Sequence, residues 1–551
     1  MKELMVSAGA ALLALSLAGG EVSDRPMVWA HHVPWHTPLN TGLTATGYYN
    51  FPVMDSTGND LKDWKREIAR ARAQGIDGFF PDLVAHGEGA PTVFAEMLGP
   101  MLKAAEGTDF QIGMCLDVKT NVDYQVREIR RMLDLYGKHP NYPHWNGRPL
   151  VNFYTFMEWS PEELAEIRSR LKKLGYDIFI IGNIGSSYEK PDIAHFRKWL
   201  PALDMIYTFG LGEIDGTSME SKTPLYRRMA DEAGKKLMMP VYPGYYGAWL
   251  NGRNDFYQVH DGLDNAHRTW LCAMEARPQW LHYTTWNDHD ETSLLPMIFT
   301  PGNVPVTRAY SDVFKGKSAV TGKPEAVFAY HREELPGTLL RFEAMTLPTL
   351  KPGSTVRLSG RLLDAAGKPV AELPERVLRG DRFDRGEWLV PSASLAESPH
   401  LTPEITLRSG EFRRTFRLPE LLFVTGWHQN AVTVKVASGG VLDAEGTLTV
   451  TEKDGKLHAA GSYRAPEKLS HVTLWRNDRP IANLTPAAGG RHLLNLYVTA
   501  SADYTVKPEN GEIIAAVRKF GENHTPGLEW DARSFTSRGN VAWTPGAILV
   551  G

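Results

Sequence analysis

The sequence has 551 residues, of which 42% are hydrophobic, 23% charged and 10% aromatic, a globular composition that excludes a fibrous or disordered protein. Lysine and arginine number 60 against 64 aspartate and glutamate, so the formal net charge of −4 gives no basic excess for binding nucleic acid. The two cysteines, Cys115 and Cys272, exclude a disulfide scaffold or a cysteine-based zinc cluster. Both lie in apolar runs typical of buried free thiols.

The N-terminus is typical of a secretory signal peptide. Lys2 is followed by an apolar run from Leu4 to Leu17, too short to span a bilayer comfortably. The small residues Ser16 and Ala18 suit a signal peptidase. We therefore predict a signal peptide over residues 1–20 and a secreted or periplasmic mature protein without a membrane span. A frayed N-terminal helix is the alternative.

Residues 27–315 alternate short apolar runs with amphipathic helical patterns. Apolar runs without polar alternation are typical of strands covered on both faces, as in parallel sheets. The runs begin near Met27, Asp77, Phe110, Pro149, Ile178, Met205, Leu237 and Trp280. About eight such βα units in this length predict an α/β fold, the (β/α)8 TIM barrel. A doubly wound sheet is the alternative, although no G-x-G-x-x-G turn opens the first helix.

One helix start is marked clearly by its sequence. Ser160 can cap the helix, Pro161 suits the first helical position, and Glu163 completes a capping box. We therefore predict a helix that begins at this point, between two of the barrel strands.

After residue 315 the pattern changes to strand-like alternation. Turn sequences such as Ala365-Ala-Gly-Lys and Glu452-Lys-Asp-Gly interrupt it. We predict two all-β sandwich modules, over residues 320–421 and 422–551.

Candidate site residues follow from the barrel, because catalytic groups of this fold lie at the C-terminal ends of its strands. The residues that end the apolar runs include His31, Asp82, Asp117, Asn183 and Tyr242. We expect these side chains to contact a ligand, whereas the alternative for Asp82 is that it caps the following loop. Tyr245 and Trp249 follow in the same region, and their flat rings suit stacking on sugars or, alternatively, packing of the loop.

The last barrel loop carries three carboxylates, Asp288, Asp290 and Glu291, within four positions. Crowded like charges raise the pKa of at least one member. A protonated acid beside an ionised carboxylate is the pair of catalytic groups that glycoside hydrolysis uses. The alternative is a solvated loop or helix start, in which Asp288 caps and Glu291 completes the box.

The segment Trp286-Asn287-Asp288-His289-Asp290-Glu291 resembles the W-N-D-x-x-E signature of glycoside hydrolase family 71, the endo-α-1,3-glucanases or mutanases. The likeness spans about residues 27–314. The other fragments similar to that family, in the same order, are Val28-Trp-Ala-His, Asp63-Trp-Lys-Arg-Glu-Ile-Ala-Arg-Ala, Gly75-Ile-Asp-Gly-Phe, Gly147-Arg-Pro-Leu-Val and Met239-Pro-Val-Tyr-Pro.

The resemblance implies that Asp288 and Glu291 form the catalytic pair of an inverting mechanism. We assign Glu291 as general acid and Asp288 as general base, although the sequence leaves the two roles interchangeable. Trp286, Asn287 and Asp290 are further candidates for substrate contact. Asp290 stands where the family usually has glycine, and Thr292 stands in place of a serine.

The predicted protein is a secreted, endo-acting glycoside hydrolase that cleaves an α-linked polysaccharide, α-1,3-glucan by resemblance. Family 99 endo-α-mannosidases carry a similar carboxylate-rich loop, so an endo-α-mannosidase-like enzyme is one alternative. A catalytically inert glycan-binding protein on a barrel scaffold is the other. No cofactor or metal is expected, and the partner is a polysaccharide or oligosaccharide rather than nucleic acid. The sequence leaves open the oligomeric state and the ligand of the sandwich modules.

Overall fold

A computed structural model gives the architecture of the chain. It describes residues 20–23, 25–34, 60–84, 95–185, 193–210, 219–242, 245–246, 257–258, 263–288, 303–317, 320–331, 333–334, 339–395, 398, 400–418 and 420–423, and ten further strands between residues 431 and 543. The chain divides into two compact units. The first comprises Met1–Thr37, Asn59–Pro243 and His267–Asp288, and the second Pro38–Gly58, Gly244–Ala266 and His289–Gly551.

The helices lie mainly before residue 315. They are α1 (Asp60–Ala73), α2 (Leu98–Ala105), α3 (Val122–Tyr136), α4 (Pro161–Lys173), α5 (Ile193–Phe196), α6 (Met219–Ala233), α7 (Asp264–Glu275) and α8 (Asn303–Phe314), with 3₁₀ turns at Ala95–Met97, Phe156–Glu158 and Leu200–Ala202. Among the residues that the structure describes, no helix is both long and apolar enough to cross a membrane.

The strands fall into two groups along the chain. Up to residue 283 they are β1 (Gly20–Glu21), β2 (Met27–His32), β3 (Gly78–Leu83), β4 (Gln111–Ile112), β5 (Met114–Leu116), β6 (Pro143–Trp145), β7 (Arg148–Phe153), β8 (Phe179–Asn183), β9 (Met205–Tyr207), β10 (Lys236–Val241), β11 (Tyr245–Tyr246), β12 (Tyr257–Gln258) and β13 (Trp280–Tyr283). Later strands are β14 (Glu325–His331), β15 (Glu333–Glu334), β16 (Leu339–Thr346), β17 (Thr355–Leu363), β18 (Pro369–Arg379), β19 (Asp384–Pro391), β20 (His400–Ser409), β21 (Phe412–Arg417), β22 (Leu421–Phe423), β23 (Ala431–Ala437), β24 (Glu445–Lys453), β25 (Lys456–Arg464), β26 (Val472–Arg476), β27 (Arg479–Leu484), β28 (Pro486–Ala487), β29 (Arg491–Val498), β30 (Asp503–Pro508), β31 (Ala515–Arg518) and β32 (Val541–Trp543).

Eight parallel strands close into a ring in the first unit. Their order is β7-β5-β3-β2-β13-β10-β9-β8, and the pairing of β8 with β7 completes the circle. This closure confirms the predicted (β/α)8 barrel and excludes the open, doubly wound sheet. Outside the ring, β1 pairs with β6, with Gly20 opposite Pro143.

Large side chains fill the inside of the barrel. Trp29 stacks on Phe80 with ring centroids 4.2 Å apart, and Trp145 stacks on Phe179 at 5.0 Å. These rings belong to one buried core to which the inward residues of the ring strands contribute. Because the lower part of the barrel is packed, a ligand site is confined to the C-terminal ends of the strands.

The start of α4 confirms the predicted capping box. Ser160 Oγ accepts a hydrogen bond from Glu163 N at 3.1 Å, and Glu163 Oε2 accepts one from Ser160 N at 2.7 Å. Pro161 occupies the first helical position, where its missing N–H costs nothing. The helix then buries Leu164, Ile167 and Leu171 at helical spacing.

The second unit contains largely antiparallel sheets, as predicted for the chain after residue 320. One sheet has the order β19-β16-β14-β23, and another has the order β15-β22-β20-β17-β18 with β21 beside β20. Phe342 and Trp388 from the first sheet share a buried core with Leu358 and Ile405 from the second, so these two sheets form a sandwich.

Two further sheets follow along the chain, with the orders β28-β29-β25-β24-β32 and β27-β26-β30-β31. Strand β23 pairs with β14 along its whole length, from Glu325 opposite Ala437 to His331 opposite Ala431. Residues on both sides of position 422 therefore contribute to the first sandwich, and the domain boundaries themselves stay predictions.

We expect Ser160→Ala to lower the free energy of unfolding of the barrel by about 1 kcal/mol, because it leaves the Glu163 amide without its cap. Denaturant unfolding monitored by tryptophan fluorescence measures the loss. Ser160→Thr, which retains a capping oxygen, is the control. Equal unfolding midpoints for both variants and the parent protein would contradict a stabilising cap.

Candidate active site

The mouth of the barrel carries polar and aromatic side chains at fixed positions relative to the core. Alternate residues of a strand face the same side, so the residue two positions after an inward core residue also faces inward. The pairs of core residue and mouth residue are Trp29 and His31, Phe80 and Asp82, Cys115 and Asp117, Ile181 and Asn183, and Tyr207 and Phe209. Four of the five mouth residues were predicted from the sequence.

His31 and Asp82 form a buried ion pair. His31 Nε2 lies 3.4 Å from Asp82 Oδ2, and the two side chains are 4% and 8% exposed. Burial alone would lower the pKa of His31, but the carboxylates of Asp82, Asp117 and Asp288 outweigh burial and raise this pKa. The imidazole therefore carries its positive charge over a wider pH range than a free histidine does.

Asp117 is a second acidic group beside this pair. Burial, followed by the neighbouring carboxylate of Asp82, raises the pKa of Asp117 to about 7, although the charge of His31 opposes both effects. Its backbone N–H donates to the carbonyl of Leu83 at 3.2 Å, which fixes its place between adjacent strands. Near neutral pH, Asp117 retains a proton in part of the molecules and can donate a hydrogen bond.

Asn183 and Tyr242 are held by neighbouring groups at the ends of β8 and β10. Asn183 Nδ2 donates to the carbonyl of Tyr154 at 3.0 Å, and its Oδ1 accepts from Phe209 N at 3.2 Å. Thr269 Oγ1 on α7 donates to the carbonyl of Tyr242 at 3.0 Å. These contacts position both residues at the mouth, and their contact with substrate stays a prediction.

Trp286 and Asn287 connect the last barrel strand to the first. Trp286 N donates to the carbonyl of His31 at 2.7 Å, and Trp286 Nε1 donates to Glu67 Oε1 at 2.6 Å. Asn287 Oδ1 accepts a hydrogen bond from Val33 N at 2.7 Å, and Asn287 Nδ2 donates one to Val33 O at 2.8 Å. The asparagine thereby satisfies both backbone groups of Val33, a positioning role that the sequence motif alone did not reveal.

Asp288 stands at the end of this segment, close enough to His31 for its charge to raise the histidine pKa. The N–H of Asp288 donates to Thr285 Oγ1 at 2.9 Å. The predicted residues Trp249, Asp290 and Glu291 lie outside the described residues. Tyr245 is described only as backbone, in β11, where it pairs with Gln258.

Sequence reasoning missed several inward residues of the mouth. Phe209 contacts His31 edge to face with ring centroids 5.0 Å apart. His282 Nδ1 lies 3.2 Å from Tyr207 Oη and 3.2 Å from Thr284 Oγ1. Burial, followed by the charge of His31, lowers the pKa of His282 well below its ordinary value, so this imidazole is neutral. The two-residue alternation along each strand was the signal that could have identified these residues.

Asn152 on β7 is a further buried polar residue inside the barrel, and it is fully buried. Among the described residues, neither its Nδ2 nor its Oδ1 has a hydrogen-bond partner, and the same holds for His282 Nε2. Buried polar atoms of this kind usually bind protein groups or water. They give the barrel interior hydrogen-bonding capacity beyond the carboxylates.

In the described part of the chain, no group of three or more histidine, cysteine, aspartate or glutamate side chains has the arrangement of a metal site. Cys115 and Cys272 are both free and buried, and burial raises the pKa of each thiol. Neither thiol is therefore an activated nucleophile.

The barrel domain is that of a glycoside hydrolase, because residues 46–300 match the model of a glycosyl hydrolase family. That family is glycosyl hydrolase family 71, and the match agrees with the resemblance of the sequence fragments to the same family. The match covers β3 to β13, including the segment from Trp286 to Glu291. No curated protein matches the sequence.

Glycosidases are among the solved structures that the chain matches. The GH99 endo-alpha-mannosidase of Bacteroides thetaiotaomicron, in complex with BIS-TRIS-propane, is 15% identical, with coverage of 53% of this chain and 98% of that chain and a TM-score of 0.45. A GH2 member from Bacteroides cellulosilyticus is 10% identical, with coverage of 90% of this chain and 61% of that chain and a TM-score of 0.43.

We expect Asp117→Asn to change the pH dependence of stability. A carboxyl group titrates near pH 4 in an unfolded chain (about 3.9 for aspartate) and near pH 7 in the folded protein. The stability that Asp117 contributes is therefore full below the unfolded pKa and is lost as the pH rises through the folded pKa. The difference in Tm, Asp117→Asn minus the parent protein, should increase by roughly 2–4 °C between pH 5 and pH 8.

Asp123→Asn is the control for this measurement, because Asp123 is an exposed carboxylate of the same barrel, with 83% of its side chain accessible. Differential scanning calorimetry at both pH values measures the shift. A Tm difference between Asp117→Asn and the parent protein that does not change with pH would show that Asp117 is ionised throughout this range.

Proposed function

We propose that the protein is an exported, endo-acting glycosidase that hydrolyses an α-linked polysaccharide, α-1,3-glucan, with inversion of configuration. The match of residues 46–300 to the family 71 model carries the proposal. This is the family of endo-α-1,3-glucanases that the sequence fragments resemble. The apolar N-terminal segment, residues 1–20, supports export. The (β/α)8 barrel supports the location of the reaction at the ends of its strands.

Asp288 and Glu291 carry the chemistry in this proposal. Glu291 protonates the glycosidic oxygen as the bond to the anomeric carbon breaks. Asp288 takes a proton from the water that attacks the opposite face of the same carbon. The two carboxyl groups of an inverting enzyme stand roughly 6.5–9.5 Å apart, which leaves room for that water.

The buried charges behind Asp288 support its role as the base. A general base must be ionised, and a positive charge nearby favours the ionised form of a carboxylate. His31, whose pKa is raised, supplies such a charge. Asp82 lies 3.4 Å from the imidazole and holds the ring in place. His31 and Asp82 therefore act as positioning and electrostatic groups.

Asp117 and the neighbouring aromatic rings provide the means to bind a sugar. The pKa of Asp117 is about 7, so both protonation states occur near neutral pH. The protonated carboxyl donates a hydrogen bond to a sugar hydroxyl, and the ionised carboxylate accepts one. Tyr154 and Phe209, whose ring centroids are 4.8 Å apart, border His31. Apolar surfaces with a few fixed polar groups are typical of ligand pockets.

We expect Glu291→Gln and Asp288→Asn each to reduce kcat by about 10²–10⁴-fold, because each removes one proton-transfer group. Substrate affinity should be retained, since the amides keep the shape of the carboxylates. Initial rates of reducing-end release measure turnover, and isothermal titration with an oligosaccharide measures binding. Asp123→Asn, which changes an exposed carboxylate of the barrel outside the mouth, is the control. Turnover of Glu291→Gln equal to that of the parent protein would contradict the assignment.

We expect the parent protein to release reducing ends from α-1,3-glucan, with the β-anomer formed first. Inversion at an α-linked carbon gives this anomer, and proton NMR at early times distinguishes it from the α-anomer. A panel of α-glucans and α-mannans tests the substrate. Hydrolysis of α-mannan alone would exclude the glucanase and favour an endo-α-mannosidase-like enzyme. Early release of the α-anomer would exclude inversion.

A further inference from the structure

The outer face of one sandwich sheet is an unusual feature of the second unit. Strands β18, β17, β20 and β21 lie side by side in this sheet. Their inward residues, such as Leu358, Leu407 and Phe416, are buried in the sandwich core. The alternate residues face away from that core, and the strand register places them in rows across the sheet.

One of these rows consists of arginines. Arg357 on β17 lies opposite Arg408 on β20, and Arg408 lies opposite Arg413 on β21. Directly opposed like charges destabilise a sheet, so three arginines in one row impose a cost on folding. Such a cost is explained when the charges serve a ligand.

Carboxylates pair with some of the arginines on this face and leave others without an acidic partner. Glu375 lies 2.6 Å from Arg357, while Glu404 pairs with Arg361 at 2.6 Å and with Arg417 at 3.2 Å. Each of these arginines has an acidic partner, and Arg361 and Arg417 share the single carboxylate of Glu404.

Arg408 and Arg413 differ from Arg357, Arg361 and Arg417. Within the described residues, neither has a carboxylate within ion-pair distance, and the buried Nε of Arg408 has no hydrogen-bond partner. Two adjacent guanidinium groups thus present unpaired donors, and the planar fork of a guanidinium matches carboxylate and sulfate groups.

A row of hydroxyl groups runs beside the arginine row. Ser359 lies opposite Thr406, and Thr406 lies opposite Thr415. The oxygens of the two threonines are hydrogen-bonded to each other at 2.9 Å. Successive rows on one face are two residues apart, or about 7 Å. The sheet therefore offers a row of cations and a row of hydroxyl groups about 7 Å apart.

We propose that this face binds an anionic polysaccharide, one that carries carboxylate or sulfate groups. Arg408 and Arg413 bind the anionic group, and Thr406 and Thr415 exchange hydrogen bonds with sugar hydroxyls. Charge complementarity selects an anionic ligand, and the glycoside hydrolase barrel of the same chain selects a polysaccharide over other anionic polymers. This face contains neither of the proposed catalytic carboxylates, so it binds a chain without cleaving it.

Native affinity electrophoresis of the full chain tests this proposal. The probes are heparin, which is sulfated, polygalacturonate, which carries carboxylates, and dextran, which is neutral. We expect the parent protein to be retarded by at least one anionic probe and not by dextran. Arg408→Gln/Arg413→Gln should weaken the binding of that probe by about tenfold or more, because two charge-assisted contacts are lost. The two single variants should show intermediate losses.

Arg417→Gln is the matched control, because it removes the same charge from the same strand but from an arginine paired with Glu404. Its affinity should stay within about twofold of the parent value, as expected for an exposed ion pair. Equal losses in Arg417→Gln and in the single variants Arg408→Gln and Arg413→Gln would overturn the proposal, because they would reflect net charge alone. Retardation by duplex DNA but by neither anionic polysaccharide would overturn it as well.

Hydrolysis of a neutral α-glucan is measured on the same variants, which distinguishes this proposal from the proposed catalytic function. The double variant should retain the parent turnover on the neutral substrate. Loss of the anionic retardation with retained turnover supports a separate binding face. An absence of retardation in an active parent protein overturns the binding face and leaves the catalytic proposal standing.

Discussion

The pairing of β2 with β13 is the interaction on which the barrel mouth depends. These strands are the first and the last of the ring, and their ladder runs from Met27 opposite Trp280 to Ala30 opposite Tyr283. Beyond the ladder, Trp286 N binds His31 O, and the side chain of Asn287 binds both backbone groups of Val33. The segment that leads to Asp288 is thereby fixed against the strand that carries His31.

The electrostatics of the mouth follow from this closure. Once Asp288 is held near His31, the imidazole has carboxylates on several sides, and their combined charge overcomes the cost of its burial. The neighbouring His282 has no such support, so burial keeps it neutral. Two histidines whose ring centroids are 6.0 Å apart thus differ in charge because their neighbours differ.

Much of the barrel could be predicted from the sequence, because strands buried on both faces leave unbroken apolar runs and helices leave a 3.6-residue period. The capping box at Ser160 and the strand-end residues His31, Asp82 and Asp117 were predictable for the same local reasons. The inward positions of Asn152 and His282 were not recognised, although they lie at two-residue spacing from core residues. The hydrogen bonds between Asn287 and Val33 join two segments that meet only in the folded protein, so no local sequence pattern predicts them.

Closure of the ring also sets a timescale for folding during synthesis. Val33 and Asn287, the partners beyond the closing ladder, are 254 residues apart in the chain. A ribosome adds about 5–20 residues per second, so roughly 13–50 s separate the synthesis of the two. Throughout that interval the first strand has an unpaired edge, which is an aggregation-prone feature of a nascent chain. The closed ring leaves none of its eight strands with a free edge, yet its first strand exposes one for most of the time in which the barrel is made.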